Sequence, residues 1–315
     1  MSPKSAPLRT IAGLATVGAG GLVYASLIER NSFTLRRFSV PVLPHGAPSL
    51  RVLHLSDIHL VPRQARKIAW IRSLAGLDPD LVVNTGDNLA DLEAVPSVLR
   101  ALEPLLAFPG VFVLGSNDYF APSIKNPGLY LTSAHARPTE SMPLPTADLV
   151  DAFTRAGWAD LSNARTSMSV GGQALECVGV DDAHLGYDRY AAVAGTADPG
   201  AALTLGVTHA PYQRILDAMT ADRAGLVIAG HTHGGQLCLP LYGTLVTNCD
   251  LDRRRAKGVS RWWPGAGSQP SSQAPADAAW LEVSAGLGTS PYAPVRFACR
   301  PEATLLTLTA KPAVS

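Results

Sequence analysis

Along the chain, short apolar runs alternate with segments whose apolar positions recur at helical spacing. Arg51–Leu55, Leu81–Asn84 and Val111–Leu114 are compact runs that stop at Ser56-Asp57, Gly86-Asp87 and Gly115. Between them, Pro62–Leu77 and Asp91–Ala107 have helical character, the second broken before Pro96. Asp148–Ala156 predicts a short helix and Ala174–Val180 a strand ending at Asp181-Asp182. Ala202–Thr208 and Leu226–Ala229 predict two more strands, each followed by a histidine segment, and Leu281–Val283 and Ala303–Leu308 close the chain as strands. Ser32–Val42 is β-like, and Pro44-His45-Gly46 marks a turn. Apolar strands alternating with helices predict an α/β fold whose sheet is covered on both faces. Ala121–Pro145 carries five prolines and little periodicity, which predicts a long loop. Pro264–Ala278 predicts a flexible surface insertion from its composition. No internal repeat is present.

The amino-terminal segment has a different pattern. Thr10–Ile28 has no charged side chain over nineteen residues. As a helix rising ~1.5 Å per residue, it matches roughly the hydrocarbon thickness of a bilayer. A secretory signal is the rival, with Lys4 and Arg9 at its start and Val23-Tyr24-Ala25 as a cleavage site; a buried soluble helix is the third reading. Residues 1–31 are therefore expected to be a membrane anchor or signal segment, 32–50 a linker with a first strand, and 51–312 the main domain. Cationic residues flank the run on both sides, so its orientation stays open.

Composition narrows the classes further. With 315 residues, 47% hydrophobic and 16% charged, the chain has ample material for a core and is not disordered as a whole. Lys and Arg number 26 against 25 Asp and Glu, a net of +1, so no nucleic-acid polymer is expected as partner. Residues 1–50 hold five bases and one acid, a local +4, which leaves −3 for the rest. Four cysteines are too few for a disulfide-built scaffold. Cys238 and Cys249 flank a Pro-Leu-Tyr-Gly turn and would face each other across a hairpin, with free buried thiols as the alternative. Arg253–Arg255 and Lys257, with Trp262-Trp263 nearby, predict a contact with anionic lipid headgroups or a second phosphate, or else a solvated, salt-bridged loop beside core tryptophans.

The chemistry lies where strands stop. Asp57-Ile58-His59, Gly86-Asp87-Asn88, Gly115-Ser116-Asn117-Asp118, Thr208-His209-Ala210 and Gly230-His231-Thr232-His233 each follow an apolar strand directly. Strand carboxyl ends of an α/β sheet open onto one crevice, which would gather Asp57, His59, Asp87, Asn117, His209, His231 and His233. Singly, such residues are caps or structural histidines, and His54, inside the first strand, is expected in the core. Together, imidazoles and carboxylates suit Zn, Mn or Fe, and seven ligands suit two ions rather than one.

These segments, with the GHTHGGQ stretch and the closing GLGTSPYAPVRFACRPE, resemble the calcineurin-like metallophosphoesterase superfamily. The likeness is to its bacterial membrane-anchored or exported branch of phosphodiesterases related to YkuE and YaeI. The resemblance implies a four-layer αββα sandwich around a dinuclear centre. Asp57, His59 and His233 would bind one metal, His209 and His231 the other, and Asp87 would bridge them. One motif departs. Where the family has Gly-Asn-His before an acid, this chain has Gly115-Ser116-Asn117-Asp118. Asn117 is expected to reach the second metal through its amide oxygen, because a serine hydroxyl is a poor neutral ligand. His135 or His184 is a candidate for the missing donor, and Gln236 for a further substrate contact.

A phosphate ester repels hydroxide, and two metals bring the pKa of a bridging water towards neutrality. Asp87, Asn117 and His231 are the residues expected at the chemistry. The expected function is hydrolysis of a lipid-linked or cell-envelope phosphodiester or pyrophosphate by a metal-bridging hydroxide, at a membrane of undetermined side. Nucleotide phosphodiester hydrolysis is the alternative, and the altered GSND motif leaves room for a metal-binding membrane scaffold.

Overall fold

The structure, a computed structural model, describes residues 18–123 and 142–312. Two six-stranded mixed sheets lie face to face. The first runs in the order β1(Thr34–Leu43), β14(Glu302–Ala310), β2(Leu50–Leu55), β3(Leu81–Asn84), β4(Gly110–Phe112), β5(Ala159–Asp160). The second runs β12(Gly258–Trp262), β13(Ala279–Val283), β9(Leu226–Ala229), β8(Leu203–Thr208), β7(Gln173–Gly179), β6(Ala164–Val170). Strands β2 to β5 are parallel, as are β7, β8, β9 and β13. The last strand, β14, sits parallel to β1 and antiparallel to β2. A small hairpin, β10(Cys238–Leu239) with β11(Gly243–Thr244), stands outside both sheets.

Alternate residues of the apolar runs face opposite ways, which builds the layers. Leu81 and Val83 point into the space between the sheets, against Leu205, Val207 and Ile228. Val82 and Phe112 point outward, beneath α1(Ala65–Ser73), α2(Val95–Leu102) and, after the one-turn α3(Ser116–Tyr119), α4(Thr146–Arg155). On the far side, Val227 and Ala229 pack under α5(Gln213–Ala221). The packing order is therefore helix, sheet, sheet, helix. Each fully buried Val or Leu contributes about 1.5–3 kcal/mol, so the two-sided runs fix the central strands.

The elements missing from the sequence reading are those that bury little. β5 and the hairpin strands are two residues long, and β6 and β12 are edge strands with half-exposed faces. Segment 32–50 carries the expected first strand, and that strand is joined to the first sheet. β1 pairs along its length with β14, and Val40, Val42 and Leu43 enter the inter-sheet core. Residues before it also reach the fold, because buried Glu29 accepts the N–H groups of Ala298 at 3.0 Å and Cys299 at 2.6 Å.

The expected Thr10–Ile28 span begins outside the described residues. From 18 the chain is helical, through a π-turn at Tyr24–Ile28 and a 3-10 turn at Glu29–Asn31, with Leu22, Val23, Leu27 and Ile28 exposed. Among the described residues, no helix is long and apolar enough to cross a membrane.

The insertion at Pro264–Ala278 is pinned. The buried Arg255 guanidinium donates to the carbonyls of Gln269 (2.7 Å) and Gly267 (3.3 Å), and Arg261 donates to that of Ala278. Composition cannot reveal arginines reaching in from outside the segment. Trp262 is a core residue, fully buried with its indole N–H on Asp217 at 2.8 Å, and Trp263 packs beside it. Cys249 lies away from Cys238, and all four cysteines are free thiols. The sulfur near Cys238 is that of Cys299, both directed at the Gly234 carbonyl, at 3.2 and 3.5 Å.

Candidate active site

Both sheets deliver their parallel-strand carboxyl ends to one edge. β2 runs into Ser56-Asp57, β3 into Gly86-Asp87 and β4 towards Gly115, while β8 and β9 run into His209 and Gly230-His231. The ends are tied to each other by main-chain hydrogen bonds. Asp57 donates to the Gly86 carbonyl and His59 to that of Asp87, each at 2.9 Å, and Gly230 donates to the His209 carbonyl at 2.9 Å. Asp57, His59, Asp87, His231 and His233 all carry positive φ, between 41° and 66°. Such backbone costs roughly 1–3 kcal/mol per non-glycine residue and persists only where surroundings impose it. Gly230 permits the approach, since a Cβ there would collide with Ser56 Oγ and lie 2.7 Å from Asp57 Oδ2.

Asp57, His59, Asp87 and His233 form one buried cluster whose ligand atoms all lie within 4.8 Å of one another. His59 Nε2 is 3.3 Å from His233 Nε2 and 3.3 Å from Asp87 Oδ2, and His233 Nε2 is 3.5 Å from Asp57 Oδ1. On the other side of Asp87, its Oδ2 is 3.6 Å from His209 Nε2, which lies 3.3 Å from His231 Nδ1. Asn117 closes this side, its backbone N–H on Asp87 Oδ1 at 2.7 Å and its side-chain amide on Oδ2 at 2.9 Å.

The donor set fits divalent ions. Asp57 Oδ1 is buried with no hydrogen-bond partner, while Oδ2 accepts from Ser56 Oγ at 2.6 Å and His231 N at 3.0 Å. His209 Nδ1 faces the Thr85 carbonyl at 2.7 Å and His231 Nε2 that of Asn248 at 3.2 Å, so each ring is oriented from behind. Burial, with His233 and Lys67 nearby, lowers His59 to about 3 against the pull of Asp87. Burial, then the neighbouring His184 and His209, takes His231 well below the ordinary imidazole value. Burial and Arg296 lower His233 as well. These rings are therefore neutral and keep lone pairs at physiological pH. His209 is the exception. Burial disfavours its charge, but Asp87, Asp57, Asp182 and the Thr85 carbonyl together raise it to about 9.

The geometry has a sequence-wide counterpart. The model of the family described as calcineurin-like phosphoesterase matches residues 50–235. The chain belongs to the calcineurin-like phosphoesterases. It is similar to the uncharacterized metallophosphoesterase YkuE of Bacillus subtilis, at 25% identity over 94% of this chain and 92% of that protein. It is also similar to the uncharacterized protein YpbG of the same organism, at 28% identity over 74% of this chain and 80% of that one. A bovine transmembrane protein with metallophosphoesterase domain is 30% identical over 63% of this chain, which spans 44% of that protein. This calcineurin-like phosphoesterase is thus a hydrolase of phosphoesters. The family uses two divalent metals, and the cluster of Asp57, His59, Asp87 and His233 is a group that could hold a metal ion.

The remaining expected residues are less uniform. His184 lies beside the site, its ring 4.8 Å from that of His231 and its Nδ1 3.1 Å from the Tyr212 hydroxyl. His135 lies outside the described residues. Gln236 is buried and spends its amide N–H on the Ala293 carbonyl at 2.8 Å, which makes it a tie between the GHTHGGQ loop and the closing segment.

Sequence reading missed the support behind the ligands. A buried chain runs from Glu282 to His54 Nδ1 (2.6 Å), from His54 Nε2 to Thr85 Oγ1 (2.8 Å), then to Ser56 Oγ (2.6 Å) and Asp57 Oδ2 (2.6 Å). Ser56 donates to Asp57 and Thr85 to Ser56, so Thr85 must accept from His54, and one proton is shared with Glu282. A histidine within an otherwise apolar strand was the available signal. Arg296, fully buried, donates to the carbonyls of Ala285 and Gly288, both at 2.7 Å, beneath His233.

Proposed function

We propose that this chain is a membrane-tethered hydrolase that cleaves a phosphodiester or pyrophosphate of a lipid-linked or cell-envelope compound, using two divalent ions that share Asp87. One observation carries the two-ion reading. Asp87 Oδ2 lies between two sets of imidazoles, 3.3 Å from His59 and 3.6 Å from His209. Asp57, His59 and His233 would hold one ion and His209, His231 and Asn117 the other. Bound there, the ions lower the pKa of water and neutralise phosphoryl charge.

The chain's own residues do the rest. Asp57 keeps one oxygen free because Ser56 and the His231 N–H occupy the other. Neutral His59, His231 and His233 need lose no proton to ligate. His184, beside His231, is positioned to give a proton to the departing oxygen in place of the histidine that GSND lacks. The tether follows from the apolar run at Thr10–Ile28 and from the exposed apolar helix at its described end.

Metal titration tests this reading. The full chain should bind two Mn ions, and Asn117→Ala should lose occupancy of one. Because His209 holds its proton up to about 9, binding at about pH 7.5 should release about one proton, read as a buffer-dependent heat. A single ion with no proton release would end the two-ion reading. For the leaving group, His184→Ala should slow alkyl phosphodiesters by about 10²-fold and p-nitrophenyl esters by less than about fivefold, because nitrophenolate departs unprotonated. Equal losses for both would remove His184 from that role.

A further inference from the structure

The exposed apolar side chains of this molecule are not scattered. Of the thirteen large ones exposed among the described residues, five lie on the amino-terminal helix between Leu22 and Ile28. Five more are Leu237, Leu239, Leu241, Tyr242 and Tyr292, on or beside the β10–β11 hairpin. Leu241 at the hairpin tip is wholly exposed. The two groups share one support. The Arg296 N–H donates to the Ala25 carbonyl at 3.2 Å, and the Phe297 ring meets that of Tyr24 edge-on at 6.5 Å. The same Phe297 takes the Cys238 N–H on its carbonyl at 2.9 Å, and Leu237 pairs with it as an isolated bridge.

Cations rim this end. Arg253 and Arg254 are exposed beside the tip, with Arg253 donating to the Tyr242 hydroxyl at 2.9 Å and lying over its ring. Arg36, Arg37 and Lys257 line a neighbouring cleft of about 570 Å³. Three nearby acids are turned inward, while Asp250 is exposed and accepts the Gln213 N–H at 2.8 Å. Glu29 binds backbone at 298 and 299, Asp252 binds Arg255, and Glu302 binds Arg36 and the Ala285 N–H.

We infer that the β10–β11 hairpin, with Tyr292, is a second membrane contact beside the proposed tether, and that it docks the domain onto an anionic bilayer. Apolar tips enter the acyl boundary, tyrosines sit at headgroup level, and arginines meet lipid phosphates. Two features favour a bilayer over another protein. The uncharged run from Thr10 leads directly into this end, and a two-fold contact with a second copy would set Arg253 and Arg254 against their own counterparts. The surface stands independently of the hydrolytic reading. It also directs the site, since the hairpin follows the GHTHGGQ loop, and Gln236 holds the carbonyl beside Tyr292.

The test uses the full chain reconstituted in vesicles, with an environment-sensitive dye at Leu241→Cys and, as control, at Arg155→Cys on α4 near the far edge of the first sheet. In phosphatidylglycerol-containing vesicles, spin-labelled acyl chains should quench the tip dye at least about twofold more than the control. Arg253→Glu/Arg254→Glu should remove that excess. Equal quenching at both positions overturns the proposal even if phosphoester hydrolysis is intact. A tip-dye shift that appears in detergent and grows with protein concentration also overturns it, because a second copy then covers the face.

Discussion

Asp87→Asn is expected to fold normally by far-UV circular dichroism and to lose hydrolysis by at least about a thousandfold, or about 4 kcal/mol of transition-state stabilisation. The shape of the side chain is kept, and its remaining oxygen can still accept the Asn117 N–H that now lies 2.7 Å from Oδ1. What is lost is the charge. Burial raises the Asp87 carboxyl, yet His209 and His59, with the Asn117 N–H, hold it below its usual value, so it is an anion in place. An amide would set an NH₂ or a neutral oxygen against both imidazole sets and hold neither ion well. The raised value of His209 would also lose its leading cause, so proton release on metal binding should vanish with activity. Turnover retained by a metal-loaded variant would show that this oxygen is not shared.

Asp118→Ala should cost about 4 kcal/mol of unfolding free energy, read from the urea midpoint at constant slope. The carboxylate accepts the backbone N–H groups of Asp87 and Asn88 at 2.8 Å each and of Gly115 at 3.0 Å. It is fully buried, and each abandoned N–H carries roughly 1–3 kcal/mol of desolvation cost. Burial and the neighbouring Asp87 raise Asp118 to about 6 despite these donors. Since marginal stability is of order 5–15 kcal/mol, the loss threatens the whole domain. A cost below about 1 kcal/mol would mean that the GDN and GSND loops hold each other without this anchor.

Much of this was legible because the central strands are buried on both sides. Runs such as Leu81–Asn84 and Leu226–Ala229 have the same limits in the sequence and in the fold, since nothing polar interrupts them. The positions of Asp57, Asp87, His209 and His231 follow from where those runs stop. Edge strands such as β6 were hidden, because their burial depends on a partner that the local pattern does not name. So was the Glu282–His54–Thr85–Ser56 chain, whose members are 228, 31 and 29 residues apart in successive contacts. Arginine pinning of 264–278 was hidden for the same reason. Long-range polar pairing leaves no periodicity to read.

The slot between β1 and β2 is filled by β14, the last strand among the described residues. A ribosome must therefore pass residue 310 before the first sheet can close. Until then β2 has an open edge, and the Arg296 brace beneath His233 emerges only shortly before that edge is covered. A premature stop before Arg296 would leave a nascent product with an unpaired strand edge and without the brace beneath His233, which quality-control proteases would meet as an unfinished protein.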